Sequence, residues 1–285
     1  MNISVIIAAA GLGVRFSASD EAAAALGGPS KIEMDVAGRP VFLRAVELFL
    51  NRPAVGEVLL AVKPDAVESF RFKHGDKLGF HGVRIIAGGE TARWQTVSRA
   101  LKQVGDACTH VAVHDAARPL TSKGLIDRVF EAAEHWPAVI PGLPVAGTLK
   151  RVTEDAEAGA VDRDPLDDIL GSAGRADTTA RRVTGTVERG DLVEAQTPQV
   201  FELNLLRRAY ARIDSGAVDA DGVTDDAMVV ESLGETVHVV EGESGNLKIT
   251  RSDDLQIVEA MVKASEADRN AGLGPKRLFA HDDDD

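Results

Sequence analysis

Residues 3–15 of this chain read ISVIIAAAGLGVR, an apolar run that ends in a glycine-rich turn. Between Ile3 and Ala9 only Ser4 interrupts the apolar residues, which predicts a β-strand buried on both faces. Similar short apolar runs recur along the first half of the chain, at residues 58–62, 83–87, 110–114 and 138–141. Segments with a helical pattern separate them, at residues 40–50, 65–72, 93–104 and 122–135. This alternation predicts an α/β protein with a mostly parallel, mixed sheet and helices on both of its faces.

The alternating pattern stops after Pro144, where residues 151–182 are polar and carry little apolar periodicity. Such a stretch predicts an excursion from the sheet. Regular structure is expected again from about Val193, with helices at residues 203–213 and 252–269 and a strand at residues 236–241. We therefore predict a single domain over residues 1–270, with an extended β-arm at residues 145–192 and a flexible acidic tail at residues 271–285.

Composition restricts the class of protein and its partners. The chain has 285 residues, 44% of them hydrophobic and 27% charged, as expected for a folded globular protein. Its net charge of −13 argues against binding to nucleic acid or to an anionic membrane surface. A single cysteine, Cys108, excludes an intrachain disulfide framework, and the N-terminus lacks the basic region of a signal peptide. These features predict a cytoplasmic protein.

The glycine-rich turn after the first predicted strand is the first candidate site, because open α/β sheets bind ligands beyond the carboxyl ends of their strands. Gly11 and Gly13 would let backbone N–H groups approach phosphate oxygens. Phe16 occupies the position of the third glycine of a dinucleotide fingerprint. Arg15 and, further on, Lys31 instead indicate a triphosphate whose leaving pyrophosphate must be neutralised. The alternative is a tight strand-to-helix turn with a surface arginine.

A second candidate site is residues 111–119, VAVHDAARP. Asp115 at the end of a buried strand could hold Mg²⁺, and Arg118 could bind a phosphate through two parallel hydrogen bonds. Asp115 could instead cap a following helix, and His114 is interpreted as a structural hydrogen-bonding residue rather than a base.

A third group of candidates is weaker by itself. Asp225 and Asp226 could share a metal with Asp115, and Lys248 could stabilise charge on a transferred phosphate. Paired acids are more often a solvated face, however, and a strand lysine is more often a surface residue.

Taken in chain order, these segments resemble the 2-C-methyl-D-erythritol 4-phosphate cytidylyltransferase family. The most specific combination is HDAARP at residues 114–119, TDDA at 224–227 and NLKIT at 246–250. The other matching stretches are residues 8–15, 38–41, 88–90 and 195–201. The resemblance implies a Rossmann-like nucleotidyltransferase fold with a protruding arm, and a homodimer in which each arm reaches the partner's site. It also implies that CTP and Mg²⁺ are used, that the acceptor is a polyol phosphate and that pyrophosphate is released.

The resemblance further implies a role for individual residues. The triphosphate would be held by the loop residues and two cations: Ala9, Ala10, Gly11, Gly13, Arg15 and Lys31. The cytosine would be framed by Gly88, Gly89, Glu90 and Thr96. Asp115 would bind the metal and Lys248 the α-phosphate. The acceptor phosphate would contact Arg118, Thr148 and Arg189, and Thr224 would line the same pocket. Arg15, Lys31 and Lys248 would be the catalytic cations.

Two alternatives to this enzyme remain open from the sequence. Ribitol 5-phosphate cytidylyltransferases resemble the family closely and share its phosphate-handling motifs, while the acceptor would be bound partly by the arm. A nucleotide-binding homologue without turnover is the other alternative, because the segment around Lys31 departs from the family pattern.

Overall fold

The computed structural model describes residues 1–11, 30–154, 157–158, 179–220 and 222–272. Within these residues the helices are α1 (Val41–Glu47), α2 (Val67–Phe80), α3 (Arg93–Leu101), α4 (Lys123–Ala133), α5 (Leu203–Asp214), α6 (Asp226–Glu231) and α7 (Ser252–Gly272), with a 3₁₀ turn at Pro64–Ala66. The main sheet contains β1 (Ile3–Ala8), β4 (Val55–Val62), β5 (Val83–Ala87), β6 (His110–Asp115), β7 (Ala138–Pro144), β12 (Val193–Ala195), β13 (Gln199–Glu202) and β14 (His238–Glu241). Three short ribbons pair β2 (Asp35–Val36) with β3 (Arg39–Pro40), β8 (Leu149–Val152) with β11 (Val183–Val187), and β9 (Glu157–Ala158) with β10 (Thr179–Ala180).

The main sheet is mixed but mostly parallel, as the sequence predicts. From β7 the strands are ordered β13, β6, β1, β4 and β5, and β14 pairs with β7 on its other side. The pairings β1–β4, β1–β6, β4–β5 and β7–β14 are parallel, whereas β13 is antiparallel to both β6 and β7. The carboxyl ends of β1, β4, β5 and β6 therefore meet at one edge of the sheet.

Both faces of the sheet are covered, which confirms the prediction made from the first strand. Ile3, Val5 and Ile7 belong to a core with α1, α2 and α4, while Ile6 belongs to a second core with α3, α5 and α6. This division follows from the alternation of side chains along a strand.

Several element boundaries differ from the sequence predictions. Helix α2 continues to Phe80 instead of ending at residue 72, because Leu78 is buried in the core like Phe70 and anchors the C-terminal part of the helix there. Helix α7 extends to Gly272, and the remainder of the predicted acidic tail, residues 273–285, lies outside the described residues.

The chain forms two compact units. Residues 1–143 and 195–285 make up the first, which contains most of the main sheet, and Pro144–Glu194 make up the second. The second unit contains the ribbon β8–β11, in which Val152 pairs with Val183 and Leu149 with Val187.

Candidate active site

Two loops that the sequence predicts to bind nucleotide lie against each other at the carboxyl edge of the sheet. Ala9 and Ala10 follow β1, and Gly88 follows β5. A Cβ atom at Gly88 would lie 2.7 Å from the Cβ of Ala10 and 3.1 Å from the backbone oxygen of Val62, so only glycine allows this approach. Gly11 is exposed and is the last described residue of the first loop, whereas Gly13 and Arg15 lie outside the described residues.

The second loop is held by a threonine and an arginine of α3. The Thr96 hydroxyl accepts a hydrogen bond from the backbone N–H of Gly89 at 3.0 Å, and both groups are buried. Arg99 donates to the Gly88 carbonyl at 2.7 Å and to the Glu90 carboxylate at 3.0 Å. Thr96 therefore shapes the loop from behind. Arg99 was missed in the sequence because no motif contains it, and its contact with Glu90 appears only in the structure.

Thr96 offers a test of the geometry of this loop. Thr96→Val should lower the free energy of unfolding by about 1–3 kcal/mol, because the Gly89 N–H would be buried without an acceptor. Thr96→Ser is the matched control, since it keeps the hydroxyl. Urea unfolding of both variants measures the difference, and equal losses would show that the hydroxyl does not hold Gly89.

Asp115 and Lys248 are brought together in the structure, although 133 positions separate them in the sequence. The Lys248 Nζ lies 2.6 Å from Asp115 Oδ2. Arg93 Nε lies 2.9 Å from Asp115 Oδ1, and Arg118 Nε lies 3.8 Å from Oδ2. Burial raises the pKa of Asp115, but the adjacent Arg93, Lys248 and Arg118 outweigh it and hold that pKa well below the ordinary value. Asp115 is therefore an ionised carboxylate among cations at the end of β6.

Lys31 also lies at this edge of the sheet. Its Nζ donates a hydrogen bond to the Ile249 carbonyl at 3.2 Å, directly beside Lys248 in the chain. Lys31 therefore contacts the short segment that carries Lys248, the other predicted catalytic lysine. Such clustering of positive charge is suited to the phosphates of a nucleotide.

Arg118 and Asn246 fix the segment that carries Lys248. Arg118 is 5% exposed, and its Nη1 donates to the Asn246 carbonyl at 2.6 Å. The Asn246 side chain in turn donates to the Thr197 carbonyl at 2.9 Å and accepts from the Thr121 hydroxyl at 2.8 Å. Contact of Arg118 with a substrate phosphate remains a prediction, while its backbone contacts position the loop of Lys248.

His114 is a structural hydrogen-bonding residue. It is fully buried, its Nε2 lies 3.1 Å from the Arg118 carbonyl, and its Nδ1 lies 3.1 Å from the Thr197 hydroxyl. Nε2–H therefore donates to the carbonyl, and the threonine hydroxyl donates to Nδ1. Burial lowers the pKa of His114 to about 4.

This shift predicts a pH-dependent loss of stability. Between pH 6.5 and 4 the unfolded chain binds a proton at this histidine and the folded protein does not, so stability falls as the pH falls. From pH 7 to pH 5 the loss from this histidine should be about 2 kcal/mol. Urea unfolding at both pH values measures the free energy of unfolding. Its decrease from pH 7 to pH 5 should be smaller by that amount in His114→Gln than in the wild type. The control variant His135→Gln, at an exposed histidine, should match the wild type. An unchanged pH dependence in His114→Gln would contradict the prediction.

The acidic pair of the TDDA motif has partners other than a metal. Asp225 caps α6 by accepting from the Met228 N–H, and it also accepts from Gln199 Nε2 at 2.8 Å. Asp226, which is fully buried, accepts from Tyr210 and from Arg93. In the structure, these two acids therefore fix the N-terminus of α6 through their hydrogen bonds. Among the described residues, no group of three or more histidine, cysteine, aspartate or glutamate side chains could enclose a metal ion.

The remaining predicted substrate residues lie at separate places in the chain. Thr224 is exposed just before α6. Thr148 and Arg189 belong to the second unit, where Thr148 directly precedes β8 and Arg189 donates to the Ala146 carbonyl.

The fold, together with the cluster of Arg93, Lys31 and Lys248 at the carboxyl edge of the sheet, is that of an α/β nucleotidyltransferase. The family model described as 2-C-methyl-D-erythritol 4-phosphate cytidylyltransferase matches residues 3–175 and 153–264. A protein of that name from Acidobacterium capsulatum is 38% identical over 261 residues, which cover 90% of this chain and 95% of the relative. One from Rhodococcus opacus is 39% identical over 263 residues, with coverage of 92% and 95%. The crystal structure of the Thermus thermophilus protein superposes with a TM-score of 0.65 at 30% identity, covering 92% of this chain and 100% of that one.

This chain belongs to the 2-C-methyl-D-erythritol 4-phosphate cytidylyltransferase family. The resemblance found in the sequence is thereby confirmed, as are the α/β fold and the enzyme class. In the part of the chain that the structure describes, no helix is both long enough and apolar enough to cross a bilayer.

Proposed function

We propose that this protein transfers the cytidylyl group of CTP to 2-C-methyl-D-erythritol 4-phosphate, forming the CDP-alcohol and pyrophosphate in non-mevalonate isoprenoid precursor synthesis. The observation that carries the proposal is the pairing of Lys248 with Asp115 at the carboxyl end of β6, in a chain of this family. No observation favours ribitol 5-phosphate as the acceptor.

The chemistry requires positioning and charge neutralisation rather than a nucleophilic side chain. An oxygen of the acceptor phosphate attacks the α-phosphorus of CTP, a new P–O bond forms, and the bond to the bridging oxygen breaks to release pyrophosphate. The acceptor phosphate is already ionised, so no general base is needed. Lys248 can leave Asp115 to meet the charge that develops on the α-phosphate, and Lys31 lies beside it for the leaving group.

The residues at the strand edge fit a divalent cation held largely by substrate. Mg²⁺ commonly binds through one or two carboxylates together with substrate phosphates and water. Asp115 supplies one buried, ionised carboxylate, and a carboxylate has lone pairs beyond those that Arg93 and Lys248 use. Bound Mg²⁺ would neutralise phosphate charge and align the reacting oxygens. Asp115 is the residue we propose to hold it.

A homodimer through the second unit is also part of the proposal. Several large apolar side chains of this unit are exposed: Leu149, Val152, Val183, Leu192 and Val193. Leu149, Val152 and Val183 lie on the ribbon β8–β11, and exposed apolar groups of this kind are suited to contact with a second copy of the chain. Arg189 and Thr148 would then reach the partner's acceptor phosphate.

We further propose a cytoplasmic location. The single cysteine of the chain, Cys108, is a buried free thiol, which is in keeping with a reducing compartment.

The test is pyrophosphate release from CTP and Mg²⁺, with methylerythritol phosphate and ribitol 5-phosphate assayed in parallel on protein shown to be folded by circular dichroism. Release with methylerythritol phosphate alone is expected. Release with ribitol phosphate alone would overturn the acceptor, and no release with either would overturn the activity. Light scattering after size exclusion tests the dimer, and a monomeric mass at assay concentration would overturn it.

A further inference from the structure

Arg93, the first residue of α3, connects two carboxylates that belong to different motifs. Its Nε donates to Asp115 Oδ1 at 2.9 Å, and its Nη1 donates to Asp226 Oδ2 at 2.7 Å. One rigid guanidinium thus spans the carboxylate at the end of β6 and the carboxylate at the start of α6. A lysine could not reproduce this bridge, because its ammonium is a single point of charge rather than a planar fork.

The Asp226 side of this bridge is fixed from behind. Asp226 is fully buried, and its Oδ1 accepts from the Tyr210 hydroxyl at 2.6 Å. Its backbone N–H and that of Ala227 donate to the side-chain oxygen of Gln199, each at 3.1 Å. Removing the cation from such a buried carboxylate is strongly unfavourable, so Asp226 holds the Arg93 guanidinium in place.

The consequence falls on Asp115. Because Arg93 occupies Oδ1, the other oxygen, Oδ2, is directed to Lys248 at 2.6 Å. We propose that Arg93 is a positioning residue, anchored by Asp226 and Tyr210, that sets the orientation of the Asp115 carboxylate and thereby the place of Lys248. The proposal deepens the proposed function and rests on it for the meaning of that orientation.

The proposal is tested with Arg93→Lys, Tyr210→Phe and the double variant. Arg207→Lys is the matched control: Arg207 lies on the same helix as Tyr210 and donates to the Val104 carbonyl. Arg93→Lys keeps a cation for the buried Asp226, so the variant is expected to fold. We expect a kcat lowered by about 10-fold to 100-fold in Arg93→Lys, with the KM for CTP within about twofold of wild type.

Tyr210→Phe should lower kcat by about threefold to tenfold alone and should have no further effect when Arg93 is already lysine, because the hydroxyl acts through the guanidinium. Arg207→Lys should leave kcat unchanged. Additive losses in the double variant, or a raised KM for CTP with kcat intact, would overturn the positioning role.

A second readout does not depend on turnover. Crystal structures of the ligand-free wild type and of Arg93→Lys should be compared. In Arg93→Lys the Asp115 side chain should be rotated from its wild-type rotamer, or divided between two rotamers, while the fold is unchanged. An Asp115 side chain that keeps its rotamer in Arg93→Lys would overturn the inference even if the wild-type enzyme used another acceptor. Failure of the proposed function would instead appear in the wild-type assay alone.

Discussion

Lys248→Ala is expected to lower the turnover of CTP by about 10²-fold or more, because a cation that meets charge developing on the α-phosphate acts mainly in the transition state. The side chain is placed for this: its Nζ is 2.6 Å from a buried carboxylate at the strand edge, and it is one third exposed, so it can reach a bound phosphate. Steady-state pyrophosphate release at saturating CTP measures the effect.

Lys263→Ala is the matched control for this experiment. Lys263 lies on α7 and pairs with Glu259 at the surface, so its removal should leave turnover unchanged. Because Lys248 also neutralises Asp115, urea unfolding of both variants must accompany the assay. A folded Lys248→Ala protein with near-normal turnover would contradict the role assigned to this lysine.

Asp115→Asn should lower kcat/KM by about 10²-fold to 10³-fold, because the proposed metal contact and the ion pair with Lys248 are lost together. The amide has nearly the shape of the carboxylate, but it cannot balance Arg93 and Lys248. Breaking a buried pair in this way should also lower the free energy of unfolding by about 3–5 kcal/mol. Turnover and urea unfolding are the two measurements.

The matched control is Glu235→Gln, at an acid that pairs with Arg208 where the two side chains are 43% and 64% exposed. Exposed pairs contribute little, so both turnover and stability should stay near the wild type. Raising Mg²⁺ should restore part of the activity of Asp115→Asn if the carboxylate binds the metal. Full activity at ordinary Mg²⁺ would contradict the assignment of Asp115.

The pH dependence of stability has the opposite sign at Asp115 to that of an unpaired buried acid. The neighbouring cations hold its pKa well below the ordinary value, so its contribution is present above the unfolded pKa of about 3.9 and is lost as the pH falls through the folded value. The loss of stability due to His114 occurs in a higher pH range, as the pH falls from 6.5 to 4. Acidification therefore lowers the stability of the folded protein in two separate pH ranges, first through His114 and then through Asp115.

Some features of the site followed from the sequence because they are local. The run from Ile3 to Ala9 indicated a strand buried on both faces, and the structure confirms it with cores on either side. The HDAARP and NLKIT motifs pointed to Asp115 and Lys248, which the fold brings within 2.6 Å of each other. His114 was interpreted as structural, and both of its ring nitrogens have hydrogen-bonding partners.

Other features could not be derived from the sequence. Asp226 was considered as a possible metal ligand because paired acids suit a cation, yet the structure engages it with Tyr210 and Arg93. Arg93 and Arg99 attracted no attention, since an arginine in an amphipathic helix is an ordinary surface residue until its partners are known. Arg118 was predicted to face a phosphate, and only the structure shows that its Nη1 binds the Asn246 carbonyl.

By itself, the sequence determined the periodicity of strands and helices, the glycines that permit close backbone approach and the family to which the chain belongs. These depend on neighbouring residues and on motif order. Only the tertiary structure decided which charged and polar groups meet: Arg93 and Asp226 are 133 positions apart, and Arg118 and the Asn246 carbonyl are 128 apart. Such pairs exist because parallel strands end at one edge of the sheet and bring distant loops together there, where burial makes each unpaired charge too costly to leave without a partner.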